Sequence, residues 1–272
     1  MKNELKNIKN QLLQIQGLDI SMYDDSFLVK SVEKRMSATG SNSFSEYCDC
    51  LQQNKNEAIV FLDSLNNNFS EFFRNTLAFA NLEQIILPKL IEKKGKGREI
   101  RIWSAACAAG QEAYSIAILF DELIERTKSN IGYRIFATDI NQKELIIAQK
   151  GIYNNSVVGK VTLNRIHTYF TQHGETFTIS PKLREYIDFS FFDLLQEDQA
   201  SPSASIFGDF DLIFCSNLLF YYNPESRQRI LEKITNNLAP GGYLITDNAE
   251  REIVKRNDFR EILVNSAIFQ KR

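Results

Sequence analysis

The stretch Ile100-Arg101-Ile102-Trp103-Ser104-Ala105-Ala106-Cys107-Ala108-Ala109-Gly110-Gln111-Glu112 decides the fold. Its first four residues are a short β run, set off upstream by the turn signal Gly95-Lys96-Gly97-Arg98. From Ala113 the apolar residues recur at helical spacing through Ile116, Ala117, Phe120 and Leu123. Between strand and helix lies a loop of small side chains, which lets a ligand approach the main chain at the strand's carboxyl end. Open parallel sheets bind their ligands there. The loop lacks the three spaced glycines of a dinucleotide fingerprint and the Gly-Lys-Ser/Thr of a phosphate loop, so a ligand without a pyrophosphate fits better. Taken alone, it is equally compatible with a tight helix-packing turn.

Downstream the alternation continues. Tyr133 to Ala137 reads as a second strand, and Leu145 and Ala148 sit on the helix after it. Ile187–Phe191, Leu212–Cys215 and Tyr243–Ile245 are further buried strands. The last follows a helix carrying Ile230, Leu231 and Ile234, joined to it through Pro240-Gly241-Gly242. Strand alternating with helix predicts an α/β fold with a mostly parallel, Rossmann-like sheet. Two apolar runs around Asn265-Ser266, within Phe259 to Lys271, predict an antiparallel hairpin on its C-terminal edge. Residues 152–186 break the rhythm: Tyr153, His167, His173-Gly174 and Phe177-Thr178-Ile179 suggest an insertion with a helix and a small hairpin, a kind of segment that commonly carries partner specificity.

Upstream, residues 3 to about 68 carry helical periodicity. Leu5, Ile8, Leu12 and Ile15 form one stripe, and Asp24 or Asp25 can cap a helix with Leu28, Val32 and Met36. Ser43 and Glu46 have capping-box spacing before Tyr47 and Leu51, and Ala58, Leu62 and Leu65 mark a helix that ends in Asn66-Asn67-Asn68. A further helix runs from about Leu82 to Lys93, interrupted or restarted near Pro88. The expected division is a helical domain over 1–75, a linker helix and turn over 76–98, and the sheet domain with its insertion over 99–272.

With 272 residues and a formal net charge of −2, the chain can bury one large core or two modest ones and presents no general positive field to nucleic acid or an anionic membrane. No run approaches the roughly 18 apolar residues of a membrane span, and the polar start Met1-Lys2-Asn3-Glu4 lacks a secretory core, so the cytoplasm is expected. The cysteines Cys48, Cys50, Cys107 and Cys215 match no usual zinc spacing and read as reduced thiols; no ligand-spaced His, Asp or Glu cluster suggests a metal.

Asp139 ends the second strand in Ala137-Thr138-Asp139-Ile140. An acid there either accepts from both hydroxyls of a ribose or caps the helix starting near Asn141; the small-residue loop one strand earlier favours the ribose.

Five separated segments, in order, resemble the bacterial chemotaxis-receptor O-methyltransferase family. Asn68-Phe69-Ser70-Glu71-Phe72-Phe73-Arg74 is similar to its Asn-x-Thr-x-Phe-Phe-Arg, and Trp103 to Ser115 to its Trp-Ser-Ala-Ala-Cys-Ser-Thr-Gly-Glu-Glu-Pro-Tyr-Ser. Ala137 to Asn141 resembles its Ala-Thr-Asp-Ile stretch, Phe210 to Tyr222 its Phe-Asp-x-Ile-x-Cys-Arg-Asn-Val-x-Ile-Tyr-Phe, and Leu238 to Gly242 its Leu-x-Pro-Gly-Gly. The resemblance implies S-adenosylmethionine as cofactor, S-adenosylhomocysteine as product, and methyl esterification of glutamates on chemoreceptor cytoplasmic helical bundles, by a monomer. It places cofactor contacts on Asn68, Ser70, Arg74, Ala105, Gly110, Gln111, Asp139, Asp193, Leu194, Ser216 and Asn217, with Arg74 and Tyr221 nearest the transferred methyl. Ser70 replaces threonine, Gln111 a frequent glutamate, Asp193 an asparagine and Ser216 an arginine, which alters the pocket's charge. Phe72 and Phe73 are expected to anchor the helical domain against the sheet.

The chemistry needs no base: a glutamate of ordinary pKa is already an anion at neutral pH. His167 and His173, both in the insertion, are expected to be structural or on the surface. Lys30, Lys34 and Arg35 on the second helix can meet an acidic receptor bundle. Rival readings are a methyltransferase of the same fold acting on another protein or a small molecule, and a non-catalytic sensor of the cofactor.

Overall fold

The computed structural model describes residues 2–66, 69–95, 97–205, 208–255 and 259–271. Its strands are β1 (Glu99–Ala105), β2 (Gly132–Asp139), β3 (Ile152–Asn154), β4 (Phe170–His173), β5 (Thr176–Ile179), β6 (Ile187–Phe191), β7 (Phe210–Phe214), β8 (Leu238–Ile245), β9 (Phe259–Glu261) and β10 (Ile268–Lys271). Seven of them form one sheet in the order β6-β2-β1-β7-β8-β10-β9, and β3-β5-β4 form a second. β1 pairs in parallel with both β2 and β7, β2 with β6, and β7 with β8. Only the edge is antiparallel, where β10 pairs with β8 and with β9. The chain runs from β1 outward to β2 and β6, then returns to β7 on the other side of β1, so the strand order reverses between β1 and β7.

Residues 2–66 group with 220–229 as one compact unit, and 69–219 with 230–271 as a second. In the first, the helices Lys2–Gln16, Asp25–Thr39, Phe44–Gln53 and Lys55–Leu65 bury Leu5, Ile8, Leu12, Leu28, Val32 and Phe61; the side chain of Ile15 lies outside the described residues. Asp24, not Asp25, caps the second helix, accepting from the Ser26 N–H. Ser43 accepts from the Glu46 N–H as the spacing predicts, but the Glu46 carboxylate turns to the Asn42 N–H at 2.7 Å, so the box is not reciprocal. Arg35 departs from expectation too. Its guanidinium holds Glu57 in a fork at 2.9 and 2.7 Å, and Tyr47 donates to the same carboxylate at 2.8 Å, so Arg35 leaves the outer basic face to Lys30 and Lys34.

In the second unit the helical stretch ahead of the sheet starts earlier than expected, and as expected its α-helical ladder is interrupted ahead of Pro88 and restarts there. Thr76–Asn81 passes into a π turn over Leu82–Ile86, with the Leu87 N–H bonded to Leu82 O, and continues as Leu87–Lys94. Proline has no N–H to offer its own turn and its ring crowds the carbonyl four residues back, so the ladder widens ahead of it. Pro240-Gly241-Gly242 is likewise inside β8 and not before it: Leu238 already pairs with Phe210, and the register slips there before Tyr243 meets Leu212. The insertion holds three strands where a hairpin was expected. The β4–β5 hairpin is joined on its open edge by Ile152–Asn154, with the short helices Asn155–Val158, Leu163–Tyr169 and Pro181–Arg184 around it.

Candidate active site at the carboxyl ends of the central strands

The loops that follow β1, β2, β6 and β7 share the carboxyl edge of the sheet, where the strand order reverses. The β1 loop is pulled toward β2. The Cys107 N–H donates to Thr138 O at 2.9 Å, and Trp103 donates through its ring N–H to Thr138 Oγ1, also at 2.9 Å. Ala106 and Ala108 take left-handed backbone (φ 63 and 46), which a Cβ makes unfavourable, and methyl side chains keep that burden small. Gly110 starts the helix Gln111–Thr127 at φ 87, where a Cβ would stand 2.9 Å from Ala148 Cβ and 3.1 Å from the Phe189 ring. A side chain fits neither the backbone nor the space there.

Asp139 is the last residue of β2 and is 8% exposed. One carboxylate oxygen accepts from the Ala108 N–H at 2.7 Å and the other from the Asn141 N–H at 2.8 Å. The acid therefore clamps the β1 loop to the β2 end, and Asn141, not Asp139, caps the next helix through Lys143 N–H. Burial raises the Asp139 carboxyl above its usual value, while the N–H groups of Asn141, Ala108 and Ile140 hold it down. Each oxygen keeps a further lone pair for a hydroxyl donor.

Gln111 is buried at the start of the helix, and its Oε1 has no hydrogen-bond donor among the described residues. The next residue, Glu112, went unremarked in the sequence although it stands in the deciding stretch. It accepts from Ser104 Oγ at 2.6 Å at the end of β1. Desolvation pushes its carboxyl up to about 7; the Ser104 bond opposes this, the Glu250 charge adds to it and the Arg74 charge opposes it.

Arg74 follows Phe73, which is buried with left-handed backbone at φ 51. The Phe73 N–H donates to Ser115 Oγ at 3.0 Å, and Ser115 donates in turn to Gln111 O at 2.7 Å, tying this segment to the first turn of the helix. The Arg74 guanidinium donates to Phe69 O at 2.6 Å and lies 5.0 Å above the Phe69 ring. Phe72 packs on Tyr153 and Phe170 of the insertion, and Phe73 on Phe79. Ser70 is half-buried beside them, and Asn68 lies outside the described residues.

Beyond β6, Asp193 accepts from the Leu195 N–H at 2.8 Å, and Leu194 is buried. Beyond β7, Ser216 is half-buried and Asn217 is left-handed at φ 61. A second residue missed from sequence, Glu250, holds this loop: it is fully buried and accepts from the N–H groups of Asn217, Leu218 and Leu219 at 2.9, 2.7 and 2.6 Å. Thr246 Oγ1 also donates to it at 2.6 Å. The Asp247–Glu250 capping box was the signal that could have found it. The structure thus brings Arg74, Ala105, Gly110, Gln111 and Asp139 around the β1 loop. Tyr221 belongs to the first unit, where its ring lies 4.8 Å from Phe27 and its carbonyl accepts from the Asp24 N–H at 2.8 Å.

The class that this fold defines is the Rossmann-like, S-adenosylmethionine-dependent methyltransferases. Comparison with known proteins narrows it. Residues 68–268 match the family described as CheR methyltransferase, SAM binding domain, and residues 3–65 match CheR methyltransferase, all-alpha domain. The chain is 34% identical over 232 residues to chemotaxis protein methyltransferase 1 of Pseudomonas aeruginosa, covering 82% of this chain and 81% of that one. It is 30% identical over 256 residues to the chemotaxis protein methyltransferase of Listeria monocytogenes, covering 94% and 92%. An uncharacterized 104.1 kDa protein of Rhodobacter capsulatus is 26% identical over 261 residues; these span 96% of this chain but 27% of that protein. The chain belongs to the CheR methyltransferase family, and its cofactor is S-adenosylmethionine. The residues present fit that cofactor: a buried amide oxygen without a donor suits an ammonium, and the remaining lone pairs of Asp139 suit a diol.

Proposed function

We propose that this chain transfers the methyl group of S-adenosylmethionine to glutamate side-chain carboxylates of chemoreceptor cytoplasmic domains. The observation that carries the reading is Arg74, a guanidinium that makes no ion pair among the described residues and whose segment is tied through Phe73 and Ser115 to the first turn of the helix after the β1 loop. A carboxylate nucleophile needs a cation to hold it and no base to activate it. When bound, the cofactor supplies an electrophilic methyl on a sulfonium. The protein's task is to align the anion and strip its water, for which ordering alone supplies up to roughly 7 to 11 kcal/mol.

In this reading Asp139 takes the ribose hydroxyls and Gln111 the ammonium. Asn68, Ser70, Ala105, Gly110, Asp193, Leu194, Ser216 and Asn217 complete the cofactor's surroundings, and Arg74 and Tyr221 stand nearest the methyl. Ser216 offers a hydroxyl where the family's arginine would offer a second fork, so Arg74 orients the substrate carboxylate. The helical domain over 1–75 serves receptor recognition and lends Asn68, Ser70 and Arg74 from its end to the site, 76–98 link, and 99–272 carry the rest of the chemistry. Lys30 and Lys34, exposed four residues apart on one helix, face an acidic helical bundle. The protein works as a cytoplasmic monomer; no helix among its described residues is long and apolar enough to cross a membrane.

The test is incubation with methyl-labelled cofactor and a membrane extract of the same organism, followed by mild alkali. Carboxyl esters release methanol, whereas N-methyl groups stay on the protein. Label that is incorporated but survives alkali refutes the glutamate reading.

A further inference from the structure

Three consecutive residues ahead of Arg74 are each held by the insertion 152–186. Glu71 forms an ion pair with Lys160. The Phe72 ring meets Tyr153 at 5.1 Å and Phe170 at 5.4 Å, both edge-on. The Arg165 guanidinium lies 4.5 Å above the Phe73 ring. Arg165 is itself fixed in place. It grips Glu122, on the helix Gln111–Thr127, in a planar fork at 2.9 and 2.8 Å, and it reaches Glu83 in the π turn at 3.4 Å. A forked, largely buried arginine (17% exposed side chain) presents its face to the ring at a set height, which an ammonium does not do.

Phe73 is the residue whose backbone sets where Arg74 emerges. Its left-handed φ of 51 is unfavourable for a residue with a Cβ and persists only where surroundings impose it. Those surroundings are the Ser115 hydroxyl on its N–H, Phe79 against its edge at 5.3 Å, and Arg165 over its face. Release of the ring lets the dipeptide relax to right-handed backbone and swings the next side chain away.

We propose that Arg165 is a positioning residue for methyl transfer: from the insertion it holds Phe73 in left-handed backbone and thereby aims the Arg74 guanidinium at the substrate carboxylate. The insertion is then part of the catalytic framework. This inference rests on the reading of Arg74 given above, so the experiment is a cycle that separates the two.

The full-length chain carries Arg165→Met, Arg74→Ala, or both. Transfer of base-labile methyl from labelled cofactor to receptors of a membrane extract gives turnover, and calorimetry with S-adenosylhomocysteine gives cofactor affinity. Arg165→Met is expected to lower turnover on the order of ten- to a hundredfold, as misplacement of a substrate-orienting group does, with affinity for S-adenosylhomocysteine within about twofold of wild type. In the Arg74→Ala background it is expected to cost nothing further, because the group it aims is gone. Arg165→Lys, which keeps the charge without the planar stack, carries the same cycle if the methionine variant does not fold. A loss that multiplies undiminished in the Arg74→Ala background overturns the positioning role, as does wild-type turnover in Arg165→Met. Wild-type turnover in Arg74→Ala alone overturns the reading of Arg74, and with it this one.

Discussion

Asp139→Asn replaces a carboxylate that serves two main-chain donors with an amide of the same shape that can serve one. The wild-type oxygens stand 2.7 Å from the Ala108 nitrogen and 2.8 Å from the Asn141 nitrogen, and both of those are N–H donors. Whichever way the amide turns, its NH2 faces an N–H and one buried donor loses its partner, at about 1 to 3 kcal/mol of folding stability. Part is returned, since burial already raises the Asp139 pKa and the neutral amide escapes that penalty. The cofactor loss is separate: a ribose hydroxyl giving up a charge-assisted bond costs about 1 to 3 kcal/mol, a weakening of roughly five- to 150-fold. Urea denaturation of the cofactor-free protein reads the first quantity, and calorimetry with S-adenosylhomocysteine on the folded variant reads the second. A folded variant with unchanged affinity removes Asp139 from the cofactor site. Unchanged stability refutes the clamp between the β1 loop and the β2 end.

Other perturbations separate the remaining roles. Glu112 is raised from 4.5 to about 7, so the unfolded chain loses this proton first as the pH climbs. Its contribution to stability is full below about 4.5, declines as the pH rises to about 7 and is flat above, a total of about 3 kcal/mol. Glu112→Gln therefore unfolds at higher denaturant than wild type at pH 8 but not at pH 4; parallel pH curves for the two proteins contradict the shift. Gly110→Ala introduces left-handed strain and a Cβ 2.9 Å from Ala148, for a loss of roughly 2 to 5 kcal/mol by denaturation; wild-type stability shows that the loop yields freely. Tyr221→Phe lowers turnover more than cofactor affinity if its hydroxyl serves the transfer, whereas an equal loss of both assigns it to binding.

The elements that position the site were legible where a local pattern carries the information. β1, its loop and the following helix show as a change of apolar period within one stretch, and Asp139 is conspicuous because it ends a buried strand. What escaped depends on partners distant in sequence. Ile152–Asn154 is too short to alternate visibly and is a strand only because β5 lies open beside it. The interruption near Pro88 was legible from the proline, but its form was not: a π turn whose buried residues still pack in the core. Arg35 sits on the same helix as Lys30 and Lys34 in a plausible basic cluster, but Glu57 and Tyr47 draw it inward. Glu250 looks like an ordinary capping residue until its carboxylate is seen holding the loop after β7. Asp139 was offered a choice between ribose and helix cap; the structure gives the cap to Asn141 and adds a role that neither alternative named, the clamp on the Ala108 N–H.

A site that receives an anion should not be ringed by unspent negative charge, yet acids crowd this edge of the sheet. The main chain resolves the conflict. Glu250 shares its charge with three successive N–H groups and a hydroxyl, and Asp139 with two N–H groups, so peptide dipoles offset part of the burial that raises both carboxyls. Glu112, which has a hydroxyl and no main-chain donor among the described residues, holds its proton up to about pH 7 instead. Arg74 makes no hydrogen bond to a carboxylate among the described residues; its donor goes to a carbonyl and its face to a ring. On the proposed function its charge stays available for an incoming carboxylate, and that anion would exchange with the Phe69 carbonyl without first breaking an ion pair. A salt-bridged arginine at position 74 would bind a substrate carboxylate only at the expense of its partner, so on the proposed function local compensation of the acids is what leaves Arg74 for the substrate.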